Sequence, residues 1–184
     1  MRAHGAATTH DRATVDRALA AHRTPLRFRA TPVKREAVEA ILAAARPALA
    51  AAEAPAWRVY ALAGEPLARL VAALRLEGWG DPDSGAPLAL IFTAARPLGR
   101  SDWLDCGMYI EALLAAARGR GLATFFRTSI ARYHDTIERE LALGPNEIVI
   151  AALKLGYPEP GTDAGRAPGE REPVADIARF VGFD

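Results

Sequence analysis

The stretch Ser101–Phe126, SDWLDCGMYIEALLAAARGRGLATFF, constrains the fold more than any other part of the chain. Between Cys106 and Ala117 its only charged residue is Glu111, and apolar or small side chains recur on every face at helical spacing. That is the pattern of a helix buried all round, which needs neighbours on all sides. Asp102 is placed as its N-cap, Asp105 adds negative charge in the first turn, and Arg118 with Gly119 and Gly121 closes the other end. The run is too short and too interrupted to span a bilayer. Gly107, Ala112, Ala115 and Ala116 are small enough to admit a second backbone, either the same helix of another subunit or a neighbour within one core.

A chain of 184 residues fits one domain with a real core. The expected organisation is a loose tail over residues 1–13 and a single domain over 14–184. Much of the hydrophobic content is alanine, so each helix buries little, and a partner subunit would supply missing core. With 23 basic against 22 acidic residues there is no field to gather nucleic acid or an acidic membrane. Cys106 is the single cysteine and sits on the apolar helix, which argues against a disulfide framework, a cysteine-ligated metal site and an activated thiol. No metal is expected. The first residues lack the apolar core of a signal peptide, so the expected location is the cytoplasm.

Taken in order, Thr14–His22 reads as a short amphipathic helix that breaks at Pro25, followed by the basic segment HRTPLRFR over 22–29. Thr31 and Pro32 then open a helix with Val33, Ala37, Ile41, Leu42 and Ala45 as its buried stripe. Residues 47–56 are an alanine-rich connector with little chemistry. Trp57–Ala63 is a strand, Leu67, Leu70, Val71 and Leu74 mark a helix that stops near Gly78, and EGWGDPDSGAP is a turn-rich loop. Strands are expected at Leu88–Thr93, Leu122–Phe126 and Ile148–Leu155, with a peripheral helix over His134–Leu143 closed by Gly144. The chain ends in a flexible loop and a short helix or extended arm. Rossmann, P-loop, zinc and serine-hydrolase motifs are absent.

Several of these segments, in this order, resemble the flavin-dependent nitroreductase family over about Asp16 to Asp184. HRTPLRF resembles the family's R-R-S-x-R-x-F loop, PAWRVYALAGE its Q-P-W-R-F strand and turn, LIFTAARPLGRSDWLDCGMYIEALLAAARGRGLAT its central helix and following loop, IVIAALKLGYPEP its G-Y-P strand, and REPVADIARFVGF its C-terminal arm. The resemblance implies an α+β subunit with a mixed central sheet flanked by helices, paired as an obligate homodimer with FMN at the interface. It assigns His22, Arg23 and Thr24 to the phosphate and ribityl contacts, Arg171 to the phosphate as the C-terminal arginine, and Thr128 and Ser129 to the loop facing the reactive edge of the flavin. Forked guanidinium groups suit phosphate oxygens, and a hydroxyl adds a hydrogen bond.

The implied activity is electron transfer from NAD(P)H through bound FMN to a small-molecule substrate, with the cofactor performing the chemistry and no catalytic side chain required. The chain also departs from the family. Residues Leu49–Trp57 replace a polar flavin-contacting segment largely by alanine, Leu26 stands where many relatives put a cation, and some tens of residues are missing between Gly80 and Gly85. Those departures support the alternative of a divergent member that has lost FMN and serves as a binding or assembly subunit. Glu111, the lone carboxylate between Cys106 and Ala117, is expected to meet an arginine such as Arg118 or one from the other subunit.

Overall fold

The computed structural model describes Asp16, Thr24, Pro25 and residues 27–48, 55–80, 85–162 and 173–182. The expected first helix lies outside the described residues except for Asp16, as do the tail over 1–13 and most of the connector over 47–56. Helix α1 (Arg35–Ala45) leads through a 3-10 turn to β1 (Trp57–Ala63), α2 (Gly64–Leu76), β2 (Leu88–Ala95) and the central helix α3 (Arg100–Arg118). Then come β3 (Ala123–Arg127), a 3-10 turn (Ser129–Tyr133), α4 (His134–Leu141), β4 (Glu147–Gly156) and a four-residue helix, α5 (Val174–Ile177).

The four strands form one sheet in the order β1-β2-β4-β3. The α+β class holds, but every pairing among these strands is antiparallel, where a mixed sheet is expected. The reason is in the connections. Ala63 at the end of β1 faces Leu88 at the start of β2, so the α2 excursion leaves and re-enters at the same end of the sheet. A path of that kind joins only antiparallel strands. Helices α1 and α3 cover one face, where Ile41, Phe92, Leu113 and Leu153 are fully buried, and α2 and α4 cover the other around Leu70, Leu74, Ile91 and Ile137. Because β2 is central and covered on both sides, Leu88 to Ala94 are all buried, which explains its unbroken apolar run.

A bulge sets the most consequential side chain of the sheet. Phe92 pairs with Ala151 but Thr93 pairs with Val149, so Ile150 is an extra residue in β4. An extra residue reverses which face the following side chains take. Counting back from Ala152, strict alternation would send Ile148 to the α2/α4 face and Glu147 to the other. The bulge instead turns Glu147 toward Arg58, Tyr60 and Thr93. Its buried carboxylate accepts hydrogen bonds from the Thr93 hydroxyl, from Tyr60 Oη at 3.0 and 3.1 Å and from the Gly144 amide at 3.3 Å, with Arg58 at 3.8 Å. Burial on its own pushes the acid's pKa up, yet these donors and the Arg58 charge together hold it below the ordinary value.

Three helix ends differ from expectation. Helix α1 starts at Arg35 rather than at Thr31-Pro32, because the Lys34 carbonyl, not that of Thr31, accepts the first amides, from Ala37 and Val38. Asp102 is not the N-cap of α3 but lies inside it, where Oδ2 accepts the amide of the actual cap, Gly99, at 2.7 Å. Helix α4 closes at Ala142 in the left-handed region (φ 51°), with Leu143 N–H bonded to the Glu138 carbonyl, so the turn is complete before Gly144.

The central helix is the largest correction. Cys106, Tyr109, Ile110, Leu113, Leu114 and Ala117 face the core, and Tyr109 Oη donates to the Leu42 carbonyl of α1 at 3.1 Å. On the opposite side Leu104 (69%), Met108 (52%) and Trp103 (49%) are exposed, so a single chain does not bury the helix all round.

Glu147→Gln keeps the shape of the buried side chain and removes its charge. At pH 7 it should destabilise the fold by about 1–3 kcal/mol, the cost of losing hydrogen bonds to a charged group. A carboxylate with a lowered folded pKa contributes its stability above the unfolded value near ~4.3 and loses it as pH falls through the folded value. Urea denaturation of both proteins across pH 7 to 3 should therefore show the gap closing at the acid end; a constant gap would mean that charge is not its source.

Candidate functional site

Two neighbourhoods receive the residues that the sequence singles out. The first is where the N-terminal segment docks beyond β4. Phe28, 5% exposed, pairs with Pro158, Arg29 N–H donates to the Tyr157 carbonyl at 2.9 Å, and Glu159 N–H to the Arg27 carbonyl at 3.1 Å. Gly156 makes this possible: a Cβ there would lie 2.7 Å from Pro87 Cδ and 3.1 Å from Phe28 Cδ1. The Gly-Tyr-Pro run is thus a seat for the loop that precedes it in sequence by over a hundred residues. Thr24 is half-buried and Pro25 buried just upstream. His22, Arg23 and Arg171, assigned with Thr24 to the phosphate end, lie outside the described residues, as does Leu26.

The second neighbourhood follows β3. Thr128 and Ser129 are exposed immediately after Arg127, and the Thr128 carbonyl accepts the Ala131 amide at 3.1 Å to start the 3-10 turn. Thr128 occupies the cap position without a side-chain capping bond, so its hydroxyl is not spent there. Ile130, 1% exposed, anchors the turn in the α2/α4 core. Ala123 pairs with Gly156 near the docked segment, and Arg127 pairs with Ala152 at the other end of the strand. The two neighbourhoods therefore flank opposite ends of β3, whose end residues Ala123 and Arg127 are roughly 13 Å apart at ~3.3 Å per residue.

Beside Ser129 lies a cleft of about 290 Å³ lined by Trp79, Gly80, Arg127, Ser129, Arg132 and Tyr133. Trp79 is brought there by a helix stop. Gly78 (φ 84°) donates to the Arg75 carbonyl and Trp79 N–H to the Leu74 carbonyl, both at 3.0 Å, the double bond of a Schellman motif that folds the chain back over α2. Its ring meets Tyr133 edge-on at 6.4 Å. Arg127 lies over Phe125 at 4.2 Å, since residues two apart on a strand share a face. Reasoning from sequence missed Arg127, Arg132 and the part played by Trp79. The signal was the Ser-x-x-Arg spacing of 129 and 132, which brings two side chains to one face when the backbone makes a helical turn.

Other candidates have ordinary partners. Glu111 is exposed and bonded by Arg118 at 3.3 Å, as expected. Trp57 is buried against Tyr109, ring centroids 6.0 Å apart, and is a packing residue. His134, Asp135 and Glu138 place ligand-type atoms within 4.8 Å of one another at the start of α4, an arrangement common on solvated helices without an ion.

No family model matches the chain. It is 27% identical, over 218 aligned positions, to a 4-nitrobenzoate reductase of Pseudomonas putida, covering 92% of this chain and 96% of that protein. An alignment longer than the chain means that the relative has residues with no counterpart here, in keeping with a shortened loop. The FMN and NADPH-dependent nitroreductase NfnB from Sphigopyxis sp. strain HMH superposes with a TM-score of 0.81 at 21% identity, over 91% of this chain and 99% of the other. The FMN-dependent nitroreductase NfnB of Mycobacterium smegmatis, solved in complex with NADPH, gives 0.78 at 19% identity, over 93% and 100%. These superpositions establish the fold.

Cys106 is 2% exposed, and burial pushes its thiol up to about 11. The thiolate is the reactive form. The native protein should therefore resist iodoacetamide at pH 8 and become labelled at Cys106 only in denaturant, as read by mass spectrometry. Rapid labelling of the folded protein would contradict the geometry.

Proposed function

We propose that this chain, which belongs to the nitroreductase family, is an FMN-dependent oxidoreductase passing electrons from NAD(P)H to a small organic substrate, with nitroarenes as the first class to test. The near end-to-end correspondence with a 4-nitrobenzoate reductase carries this reading. FMN, when bound, supplies the redox chemistry by accepting a hydride and passing electrons on. The described residues suit it: Thr128 and Ser129 offer exposed hydroxyl and peptide groups to the polar edge of a flavin, and Thr24 adds a half-buried hydroxyl three residues before the exposed Arg27. His22, Arg23, Thr24 and Arg171 hold the phosphate and ribityl end, and Thr128 with Ser129 lie along the ring. No acid or base side chain is needed for this division of labour.

The same reading makes the protein a homodimer. The exposed stripe of Trp103, Leu104 and Met108 on α3 is the natural contact, and Val174, Ile177, Phe180 and Val181 of the C-terminal segment, all exposed, give a second apolar surface for a partner. No helix among the described residues is long and apolar enough to cross a membrane. We place the protein in the cytoplasm, where NAD(P)H is available.

Purified protein should be yellow or become so with added FMN, and anaerobic NADPH should bleach it. A colourless protein that fails to bind FMN would overturn the proposal. Arg23→Ala and Arg171→Ala should each release FMN while sedimentation remains that of a dimer. In contrast, Leu104→Glu combined with Met108→Glu should yield monomers by analytical ultracentrifugation, and an unchanged dimer would place the interface elsewhere.

A further inference from the structure

We propose that Phe28 and Gly156 are positioning residues for the phosphate end of FMN, holding ready the segment that presents Thr24. This role, which rests on the FMN reading above, is exercised through that segment and not by contact with the reacting atoms.

Space is what Gly156 contributes. Its φ is not positive, so no special backbone conformation calls for glycine there. It ends β4 between two neighbours: on one side it pairs with Ala123 of β3, and on the other it faces Pro87, one step beyond the Leu88–Leu155 pair. A Cβ would lie 2.7 Å from Pro87 Cδ and 3.1 Å from both Pro87 Cγ and Phe28 Cδ1. A proline ring leading into a strand has little room to yield, so the Phe28 ring would be driven from its seat.

The backbone closes the clasp. Phe28 bridges Pro158, while the amides of Arg29 and Glu159 bond to the carbonyls of Tyr157 and Arg27. Thr162 folds back on the same turn, its hydroxyl 2.7 Å from the Glu159 carbonyl and 3.4 Å from that of Arg27. Three consecutive residues, Arg27 to Arg29, are therefore held by a segment more than a hundred positions later. Although it is buried, Phe28 belongs to neither of the two clusters that form the core. Its burial serves the clasp, and its removal should leave the sheet and helices standing.

The two ends of the flavin respond differently. Thr24 stands four residues before Phe28, within about 14 Å even if the chain between them is fully extended. With Phe28 seated, that stretch starts from a fixed point; with it loose, the stretch must be ordered as the phosphate binds. Ordering a single backbone residue costs on the order of tenfold in affinity. Thr128 and Ser129, assigned to the ring, follow the opposite end of β3 and are anchored separately by the buried Ile130. A loosened clasp thus weakens the grip on the phosphate far more than the grip on the ring.

The test compares FMN with riboflavin, which has the ring and the ribityl chain but no phosphate, by fluorescence titration of the purified protein. Wild-type protein should prefer FMN. Phe28→Ala and Gly156→Ala should each lower the ratio of FMN to riboflavin affinity at least tenfold, whereas Phe28→Leu, which keeps most of the apolar volume, should retain most of it. Hydrogen exchange of the cofactor-free protein gives a second readout: the Arg29 and Glu159 amides should lose protection in both alanine variants while the β2 amides keep theirs. An alanine variant that weakens both flavins alike and releases the β2 amides would show a merely structural role and overturn the inference. An unchanged ratio in variants whose Arg29 and Glu159 amides have lost protection defeats the positioning role and leaves the FMN reading intact. Wild-type protein that binds neither flavin defeats the FMN reading and the positioning role with it.

Discussion

The antiparallel pairing of β2 with β4 is the constraint on which the other elements depend. Both strands lie inside the sheet with helices over each face, so apart from Thr93, Glu147 and Lys154 their side chains are apolar or small in either direction. Helices α1 and α3 are located by one set of alternating residues and α2 and α4 by the other. The docked N-terminal segment and the turn after β3 are then held at opposite ends of the β3 edge of the same ladder.

Within that ladder the extra residue Ile150 converts an apolar strand into one that ends on a satisfied acid. Glu147 links the first strand to the second through Arg58, Tyr60 and Thr93 and ties the incoming turn through Gly144. A carboxylate so deep in a sheet would be costly without this many donors. Its position shows why local irregularity in β4 is compatible with a well-defined start of the strand: Glu147, on the N-terminal side of the bulge, is fixed by polar bonds.

Much of this was legible because the relevant signals are local. Trp57–Ala63 alternates between its two faces and is flanked by breakers, Leu88–Ala95 is an apolar run of strand length, and Gly78 and Gly121 mark helix ends that depend on positive φ. What was not legible depends on partners distant in sequence. Nothing in IVIAALKLG reveals that Ile150 lacks a partner, since that depends on the register of Phe92 and Thr93. The apolar residues of α3 declare that the helix is to be covered without saying by which chain, so Leu104 and Met108 read like Ile110 and Leu113. The cleft residues were hidden because Trp79 and Arg132 are some fifty residues apart, and because a 3-10 turn has no distinctive hydrophobic period. Of the phosphate residues suggested by resemblance, only Thr24 falls among those described.

The Schellman stop at Gly78 has a consequence for how this protein can vary. The turn that carries Trp79 is held by the Gly78 and Trp79 amides, which bond to carbonyls of the preceding helix. Residues inserted or deleted after Gly80 therefore leave the tryptophan where it is, and the wall it forms is insulated from changes in loop length. A lineage could trim or extend that loop without rebuilding the turn that presents the tryptophan. The helix terminus is, in this sense, a buffer between the tryptophan and the length of the loop.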